Sequence, residues 1–205
     1  MVGVLALQGA VREHLDTFES CEVPCRAVKK PSGLNGINAL VIPGGESTTI
    51  GKLIDEGGFA AGIREFAASG LPVLGTCAGM VLLAKQVEDP HGPLLGLADI
   101  SVKRNAFGRQ AESFECALTI RGIEDEKRPF TAVFIRAPVI SEARCGVELM
   151  ARVGGSAVMA RDSNLLMCAF HPELAGDNRV HRYFLGMAGA KRFLPEAEER
   201  DVRSF

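Results

Sequence analysis

The sequence predicts an α/β fold, in which a mostly parallel central sheet carries helices on both faces and an antiparallel or mixed strand layer is added to it. Two observations predict the parallel part. Strands alternate with helical segments over roughly the first 90 residues, and these strands are apolar throughout, as strands buried on both faces are. A third observation predicts the added layer: beyond about residue 96, strand candidates follow one another with few helices between them.

The first half of the chain supplies the elements of the parallel sheet. Val2–Leu7 is a continuous apolar run, and Ala39–Ile42 is another that ends at a Pro-Gly-Gly turn. Val11, Leu15 and Phe18 recur at helical spacing and predict a helix over Val11–Ser20. The other predicted elements are the strand Arg26–Lys29, the helices Ser47–Ile54 and Phe59–Ala68, the strand Pro72–Leu74 and the helix Met80–Gln86.

The second half supplies the added strands and a closing helix over Arg179–Phe193. The domain is expected to span residues 1–194. Residues 195–205 are charged and lack an apolar face over most of their length, so a mobile tail and a solvated helix both remain open. The predicted strands are Ser101–Arg104, Ser113–Ile120, Thr131–Ile135, Val147–Arg152, Ala157–Arg161 and Leu165–Phe170.

Composition and charge exclude several classes of protein. The 205 residues carry a formal net charge of −2 and no basic run, so nucleic-acid binding is not expected. No apolar stretch is long enough to cross a bilayer and no basic segment precedes the first apolar run, so neither a membrane span nor a signal peptide is expected. Six scattered cysteines fit reduced thiols in a cytoplasmic protein. No metal site is expected, because nothing completes a ligand set with Cys21 and Cys25.

One cysteine stands where a nucleophile is expected. Cys77 lies between an apolar strand and an apolar helix, with Gly75 and Gly79 two residues away on either side. This is the pattern of a nucleophile elbow, a sharp and strained turn that a side chain at either glycine would block. The N-terminus of the following helix favours the thiolate form of a cysteine. The segment therefore predicts an enzyme that acts through a covalent intermediate on Cys77.

The base for Cys77 is expected at His171. This residue follows the apolar strand Leu165–Phe170, and the carboxyl ends of parallel strands meet at one edge of a sheet. Glu173, two residues further on, can accept the second imidazole N–H and fix the tautomer. The other histidines are expected to have no such role: His14 and His181 on solvated helix faces, and His91 in an exposed Pro/Gly loop.

Attack of a thiolate on a carbonyl group creates an oxyanion that N–H groups must stabilise. The backbone N–H of Ala78, directly after the nucleophile, is one expected donor. The second donor is expected at Gly45, in the glycine turn that follows the strand Ala39–Ile42. The same turn can cap the next helix through Glu46 or Ser47, and the two roles are compatible.

These motifs resemble those of the class I glutamine amidotransferases, which use a Cys-His-Glu triad. The resemblance rests on Pro43-Gly44-Gly45, residues 75–79 (GTCAG) and His171-Pro172-Glu173, which match in order and spacing. Within that class, the chain is similar to the glutaminase subunits of pyridoxal 5'-phosphate synthases over residues 2 to about 190. The narrower resemblance is carried by residues 7–14 (LQGAVREH), 43–49 (PGGESTT), 104–110 (RNAFGRQ) and 134–138 (FIRAP).

The resemblance implies a single flavodoxin-like domain and a reaction, the hydrolysis of L-glutamine to L-glutamate and ammonia. It implies a partner, the synthase subunit that uses the ammonia to make pyridoxal 5'-phosphate, and no cofactor. Cys77 would form a thioester, His171 would shuttle the proton and Glu173 would orient His171. An arginine offers a fork for the α-carboxylate of glutamine, and Glu46 can meet its α-ammonium group. The implied glutamine-binding residues are Gly45, Glu46, Ser47, Arg104, Ile135 and Arg136.

Three other functions remain open from the sequence. They are a related amidotransferase that serves another synthase, a cysteine peptidase built on the same elbow, and a non-catalytic binding subunit. The His-x-Glu arrangement and the Gly-Gly turn favour a small amide held by its amino-acid end over a peptide. Intact Cys77, His171 and Glu173 argue against a non-catalytic subunit.

Overall fold

A ten-stranded sheet organises the part of the chain that the computed structural model describes, residues 1–89, 92–107 and 113–189. The first half contains strands β1 (Val2–Leu5), β2 (Cys25–Val28), β3 (Ala39–Ile42), β4 (Val73–Thr76) and β5 (Ala84–Val87), and helices α1 (Val11–Ser20), α2 (Ser47–Glu56), α3 (Phe59–Ala68) and α4 (Ala78–Leu83). The second half contains strands β6 (Ala98–Lys103), β7 (Ser113–Leu118), β8 (Phe130–Ile135), β9 (Val139–Ala143), β10 (Glu148–Val153), β11 (Ser156–Asp162) and β12 (Leu165–Cys168), and helix α5 (Arg179–Met187). Short 3-10 helices cover Pro31–Leu34 and Pro172–Leu174.

The sheet has a parallel half and a mixed half. Its strand order is β2-β1-β3-β4-β12-β11-β9-β6-β5, with β10 paired to β11. The five strands from β2 to β12 pair in parallel. Beyond β12, the pairings are antiparallel apart from β5 with β6. Strands β7 and β8 form a separate antiparallel pair. The predicted α/β fold with a mostly parallel core and added antiparallel strands is therefore confirmed.

The parallel strands are apolar because they lie in the core. Every residue of β1, β3, β4 and β12 is buried, whereas β6 in the mixed half and β8 in the separate pair alternate buried residues with partly or fully exposed ones. The register between β4 and β12 pairs Thr76 with Cys168. Residues that follow these two strands therefore leave the same edge of the sheet side by side, and Cys77 and His171 are among them.

One predicted helix of the first half needs correction, and one strand was not predicted. The helix expected over Met80–Gln86 ends at Leu83, and Ala84 is already extended with φ −61° and ψ 141°. The residue types of β5 suit a helix, but parallel pairing with β6 outweighs that weak preference. Strand β9 was not predicted, because its polar residues give no clear strand pattern. Its extended conformation is stabilised by pairing with β6 and β11.

Several predictions fall on residues outside the described ranges. These are the exposed loop at His91, the domain boundary at residue 194 and the charged tail 195–205. The closing helix, expected over Arg179–Phe193, instead ends at Met187, and Gly189 with φ 79° has left the helical conformation. The boundary and the tail remain predictions. Among the described residues, no helix has both the length and the apolar character that a membrane span requires.

Candidate active site

Cys77 lies at a strained turn between β4 and α4. Its backbone has φ 47° and ψ −101°, a conformation that costs energy for any residue with a side chain. The turn is tight: a Cβ on Gly79 would overlap the carbonyl oxygen of Ile42, and one on Gly75 would overlap the backbone of Gly79. The Cys77 N–H donates to Cys168 O on β12 at 2.7 Å, which ties the turn to the neighbouring strand. The sequence pattern of an elbow thus corresponds to an elbow in the fold.

His171 lies between Cys77 and Glu173. Its Nδ1 is 2.7 Å from Glu173 Oε1, and its ring and the Cys77 side chain both lie against Gly44 at the cavity. The His171 backbone N–H donates to Val133 O at 2.8 Å, which anchors the residue to β8. The three side chains that the sequence predicted as a triad therefore lie in the order Cys77, His171 and Glu173; their catalytic roles remain predictions.

The charges around His171 favour its protonated form. Burial acts to lower the pKa of His171, but hydrogen bonds to Cys77 and Glu173, and the charges on these groups, outweigh it and raise the pKa to about 10. Burial acts to raise the pKa of Glu173, yet nearby His14 and the hydrogen bond with His171 lower it overall. At neutral pH, His171 therefore holds a proton between a sulfur and a carboxylate.

The prediction that His14 and His181 lie on solvated helix faces is wrong, because both are completely buried. His14 Nδ1 lies 3.0 Å from His181 Nε2, and His14 Nε2 lies 3.1 Å from Thr76 Oγ1. The ring of Phe18 packs edge-on against His181 with a centroid separation of 5.1 Å. The sequence held a signal for this arrangement, since His14 falls between Val11 and Phe18 on the apolar stripe of α1.

These buried histidines lead to a pH prediction. Burial lowers the pKa of His181 from its ordinary value of 6.5 to about 3, and it also lowers the pKa of His14. Below pH 6.5 the unfolded chain therefore binds protons that the folded chain does not, so the free energy of unfolding falls as the pH falls. The expected contribution of His181 is about 1.4 kcal/mol per pH unit, hence about 2 kcal/mol between pH 6.5 and pH 5. Urea unfolding across this range measures it.

The control for this prediction is His181→Leu. This variant should be less stable than the wild type at every pH. The slope of its unfolding free energy against pH, between pH 6.5 and pH 5, should be smaller by the equivalent of up to about one bound proton. His171 does not interfere, because its raised pKa contributes stability that is fully present below pH 6.5 and is lost only as the pH rises towards 10. A slope that is the same in wild type and variant contradicts the assignment of a neutral buried His181.

A single cavity of about 370 Å³ opens above Cys77. Cys77, Arg136 and Asn105, which all line it, have positive φ angles, and such strain is concentrated at functional sites. Glu173 does not line the cavity and lies behind His171. The cavity brings together Cys77, His171, Ala78 and all six residues predicted to bind glutamine, Gly45, Glu46, Ser47, Arg104, Ile135 and Arg136.

The carboxylate of Glu46 caps helix α2. Its Oε1 accepts from Thr48 N at 3.1 Å, and its Oε2 accepts from Thr49 N at 2.7 Å and Thr49 Oγ1 at 2.8 Å. Arg104 Nη2 lies 3.5 Å from Glu46 Oε1. The capping role that the sequence left open is therefore filled by Glu46. Its contact with the α-ammonium group of glutamine remains a prediction, and that contact would have to share oxygens with the cap.

The glycine turn packs directly against the predicted triad. A Cβ on Gly44 would overlap the ring of His171, so no larger residue fits there. The Gly44 N–H donates to Thr76 Oγ1 at 2.9 Å, and Gly44 O accepts from Ala10 N at 3.0 Å. Ala78 is the first residue of α4, where backbone N–H groups have no partner within the helix. The two predicted oxyanion donors, on Ala78 and Gly45, both border the cavity.

Comparison with known proteins decides the family. The family model described as the SNO glutamine amidotransferase family matches residues 4–189. The chain belongs to the SNO glutamine amidotransferase family. It is 58% identical over 184 residues to a protein of Pelotomaculum thermopropionicum called "Pyridoxal 5'-phosphate synthase subunit PdxT", covering 90% of this chain and 93% of that one. A protein of the same name from Geobacillus kaustophilus is 52% identical over 186 residues, covering 91% of this chain and 93% of that one.

A solved structure extends the comparison of this SNO amidotransferase to three dimensions. The structure is titled "Crystal structure of glutamine amidotransferase" and matches with a TM-score of 0.87 at 47% identity. The match covers 92% of this chain and 98% of the other. The resemblance inferred from the sequence motifs is therefore confirmed at the level of family and fold.

Sequence reasoning missed several residues that line the cavity of this SNO amidotransferase. Gln8, Glu13, Asn105 and Leu174 all border it. Gln8 Oε1 accepts the backbone N–H of Glu46 at 2.9 Å, so Gln8 supports the glycine turn from the end of β1. Residues 7–14 indicated the family but did not predict this contact. A hydrogen bond between a side chain and a distant part of the backbone produces no pattern in the local sequence. Within the described residues, no group of histidine, cysteine and acidic side chains has the arrangement of a metal site.

Proposed function

We propose that this chain hydrolyses L-glutamine to L-glutamate and ammonia through a thioester on Cys77, and that a synthase subunit uses the ammonia to make pyridoxal 5'-phosphate. The observation that carries the proposal is the position of His171, which bonds to Glu173 and lines the cavity beside Cys77. Membership of an amidotransferase family and the names of its relatives support glutamine as the substrate. They favour it over the peptide substrate that the elbow alone would also allow.

The first half of the reaction releases ammonia. The Cys77 thiolate attacks the side-chain carbonyl carbon of glutamine, and the electron pair of the C=O bond moves to oxygen. His171 uses Nδ1 for Glu173, so its Nε2 is free to donate a proton to the amide nitrogen. The C–N bond then breaks, ammonia leaves, and a γ-glutamyl thioester remains beside a neutral His171.

The second half regenerates the enzyme. Water gives a proton to neutral His171 while its oxygen attacks the thioester carbon. The C–S bond breaks and leaves the Cys77 thiolate, protonated His171 and a new γ-carboxylic acid, which releases its proton to solvent to give glutamate. In both halves the oxyanion requires N–H donors, for which Ala78 and Gly45 are the candidates. One such donor is worth about 3–4 kcal/mol in the transition state.

We place the protein in the cytoplasm, where a reducing environment keeps a nucleophilic thiol available. The free state of all six cysteines supports this placement.

We also propose that activity depends on the partner. In the chain by itself, the hydrogen bond from Ala10 N to Gly44 O, 3.0 Å long, holds the Gly44–Gly45 peptide in one orientation. Because neither residue has a side chain, this peptide can rotate when the partner docks.

The proposal is tested by glutamate release from glutamine. We expect the purified chain to hydrolyse glutamine slowly alone and at least about tenfold faster with the synthase subunit, because docking reorganises the glycine turn and completes the oxyanion site. Glutamate is measured with each protein alone and with the mixture. The absence of glutamate under every condition contradicts the proposed activity, and equal rates with and without the partner contradict the proposed dependence on the synthase.

A further inference from the structure

The carboxylate of Glu173 has one oxygen that the mechanism above does not use. Its Oε1 bonds to His171 Nδ1, 2.7 Å away. Its Oε2 is buried and accepts no hydrogen bond of normal geometry from the described residues. The group that faces it is His14 Nε2 on helix α1, at 3.4 Å. Because an ionised oxygen without a donor is costly to bury, the protonation of His14 Nε2 matters.

The hydrogen-bond chain behind His14 decides where its proton lies. His14 Nδ1 is 3.0 Å from His181 Nε2, and His181 Nδ1 is buried without a partner among the described residues. A buried N–H without an acceptor is rarer and more costly than an unused lone pair. His181 therefore carries its proton on Nε2 and donates it to His14 Nδ1. His14 then carries its own proton on Nε2, directed towards Glu173.

Thr76 is consistent with this assignment. Its Oγ1 lies 3.1 Å from His14 Nε2 and accepts the N–H of Gly44 at 2.9 Å. The N–H of His14 is thus shared between the hydroxyl of Thr76 and the carboxylate of Glu173. Sharing accounts for the 3.4 Å separation, which is longer than a full hydrogen bond to a carboxylate.

The donor becomes important when His171 loses its charge. While His171 is protonated, its positive charge stabilises the carboxylate of Glu173. After His171 gives its proton to the departing ammonia, Glu173 is a buried anion beside a neutral ring. Without a second donor, the cost of burying that anion would favour transfer of the Nδ1 proton to Glu173 while His171 is still charged. The neutral ring would then keep its proton on Nε2, where the second half-reaction requires a free base.

We propose that His14 is a positioning residue for glutamine hydrolysis, whose Nε2–H holds the free oxygen of Glu173 as a carboxylate, and that His181 keeps His14 in the required tautomer. The proposal rests on the proposed function. His14 does not line the cavity and acts only through Glu173. The two histidines lengthen the chain of polar contacts from Cys77 through the protein to helix α5.

The test compares three variants in the complex with the synthase subunit. His14→Leu removes the donor, and His14→Gln retains an N–H near the position of Nε2. Phe18→Leu is the matched control, because Phe18 is buried on the same helix and packs against His181 without contacting Glu173. For each variant we would measure kcat, KM for glutamine, the pH profile of kcat and the midpoint of thermal unfolding. The titratable groups that interact with Glu173 in that profile are His171, His14, His181 and Cys168. Cys77 acts on His171.

The expected results separate positioning from packing. His14→Leu should lower kcat by about 10- to 100-fold with KM nearly unchanged, and should move the acid limb of the profile, because the lost bond is one to a charged group. His14→Gln should recover most of that loss. Phe18→Leu should lower the unfolding midpoint and leave the profile in place. The proposal is overturned if the pH profiles of the three variants coincide. It is also overturned if His14→Gln is folded but recovers none of the kcat that His14→Leu loses.

A measurement on the unmodified protein covers the case in which His14→Leu does not fold. Nitrogen-15 NMR of labelled histidines reports which ring nitrogen carries the proton. We expect neutral His14 and His181, each protonated on Nε2. A proton on Nδ1 of His14 overturns the proposal even if wild-type glutaminase activity is normal. An inactive wild type would instead contradict the proposed function and leave the tautomer result valid by itself.

Discussion

Replacing Cys77 by alanine is expected to lower glutamine hydrolysis by about 10⁴-fold or more, because no other group in the cavity can form the thioester. The side chain is nearly buried, with 8% exposure, and alanine fits the same strained backbone almost as well. The variant should therefore fold and bind the synthase subunit. Glutamate release and a binding assay with the synthase measure the two properties on one preparation.

Cys145→Ser is the matched control for that prediction. Cys145 is exposed and lies outside the cavity, so its loss should change the rate by less than about twofold. If Cys77→Ala kept a substantial part of the wild-type rate, the assignment of the nucleophile would be wrong. A variant that lost partner binding as well would show that the elbow has a structural role in the interface.

Replacing Glu173 by glutamine is expected to lower kcat by about 10²- to 10⁴-fold while KM changes little. Glutamine has almost the same shape, but an amide cannot stabilise protonated His171 as a carboxylate does. Loss of the charge removes one of the causes that raise the pKa of His171 to about 10, so the ring should also deprotonate at lower pH. The pH profile of kcat, measured beside that of the wild type, shows both effects.

Asp177→Asn provides the comparison for Glu173→Gln. Asp177 is a carboxylate four residues away that bonds to Arg179 at 2.7 Å and does not line the cavity. Its replacement should lower the free energy of unfolding and keep kcat within about threefold of the wild type. If both variants kept the wild-type rate, Glu173 would have a structural role only.

The positions of Cys77 and His171 could be predicted because they depend on a local sequence pattern and on the rule that parallel strands end at a common edge of the sheet. The glycines beside Cys77 indicated the elbow, and the apolar strands that precede Cys77 and His171 indicated a common sheet edge. The register of β4 with β12 is consistent with that reasoning. The individual roles of these residues still depend on the experiments above.

The remaining parts of the site depend on contacts between distant segments. His14 and His181 are completely buried because helices α1 and α5 pack against each other there. The apolar stripe of α1 indicates a buried face for His14, but it does not show which helix covers that face. The support that Gln8 gives to Glu46 across the glycine turn is also a contact between distant segments. The end of α4 at Leu83 was misjudged because strand pairing outweighed helix propensity.

The pairing of β4 with β12 also has a consequence during synthesis of the protein. Translation delivers Cys77 long before His171, and β12 must insert between β4 and β11 before the two side chains meet. Such a contact between distant parts of the chain forms late in folding. If Cys77 and His171 have the roles proposed above, a ribosome-bound chain carries its nucleophile without a base until β12 has paired with β4. On that proposal, an incomplete chain releases no ammonia before a partner can receive it.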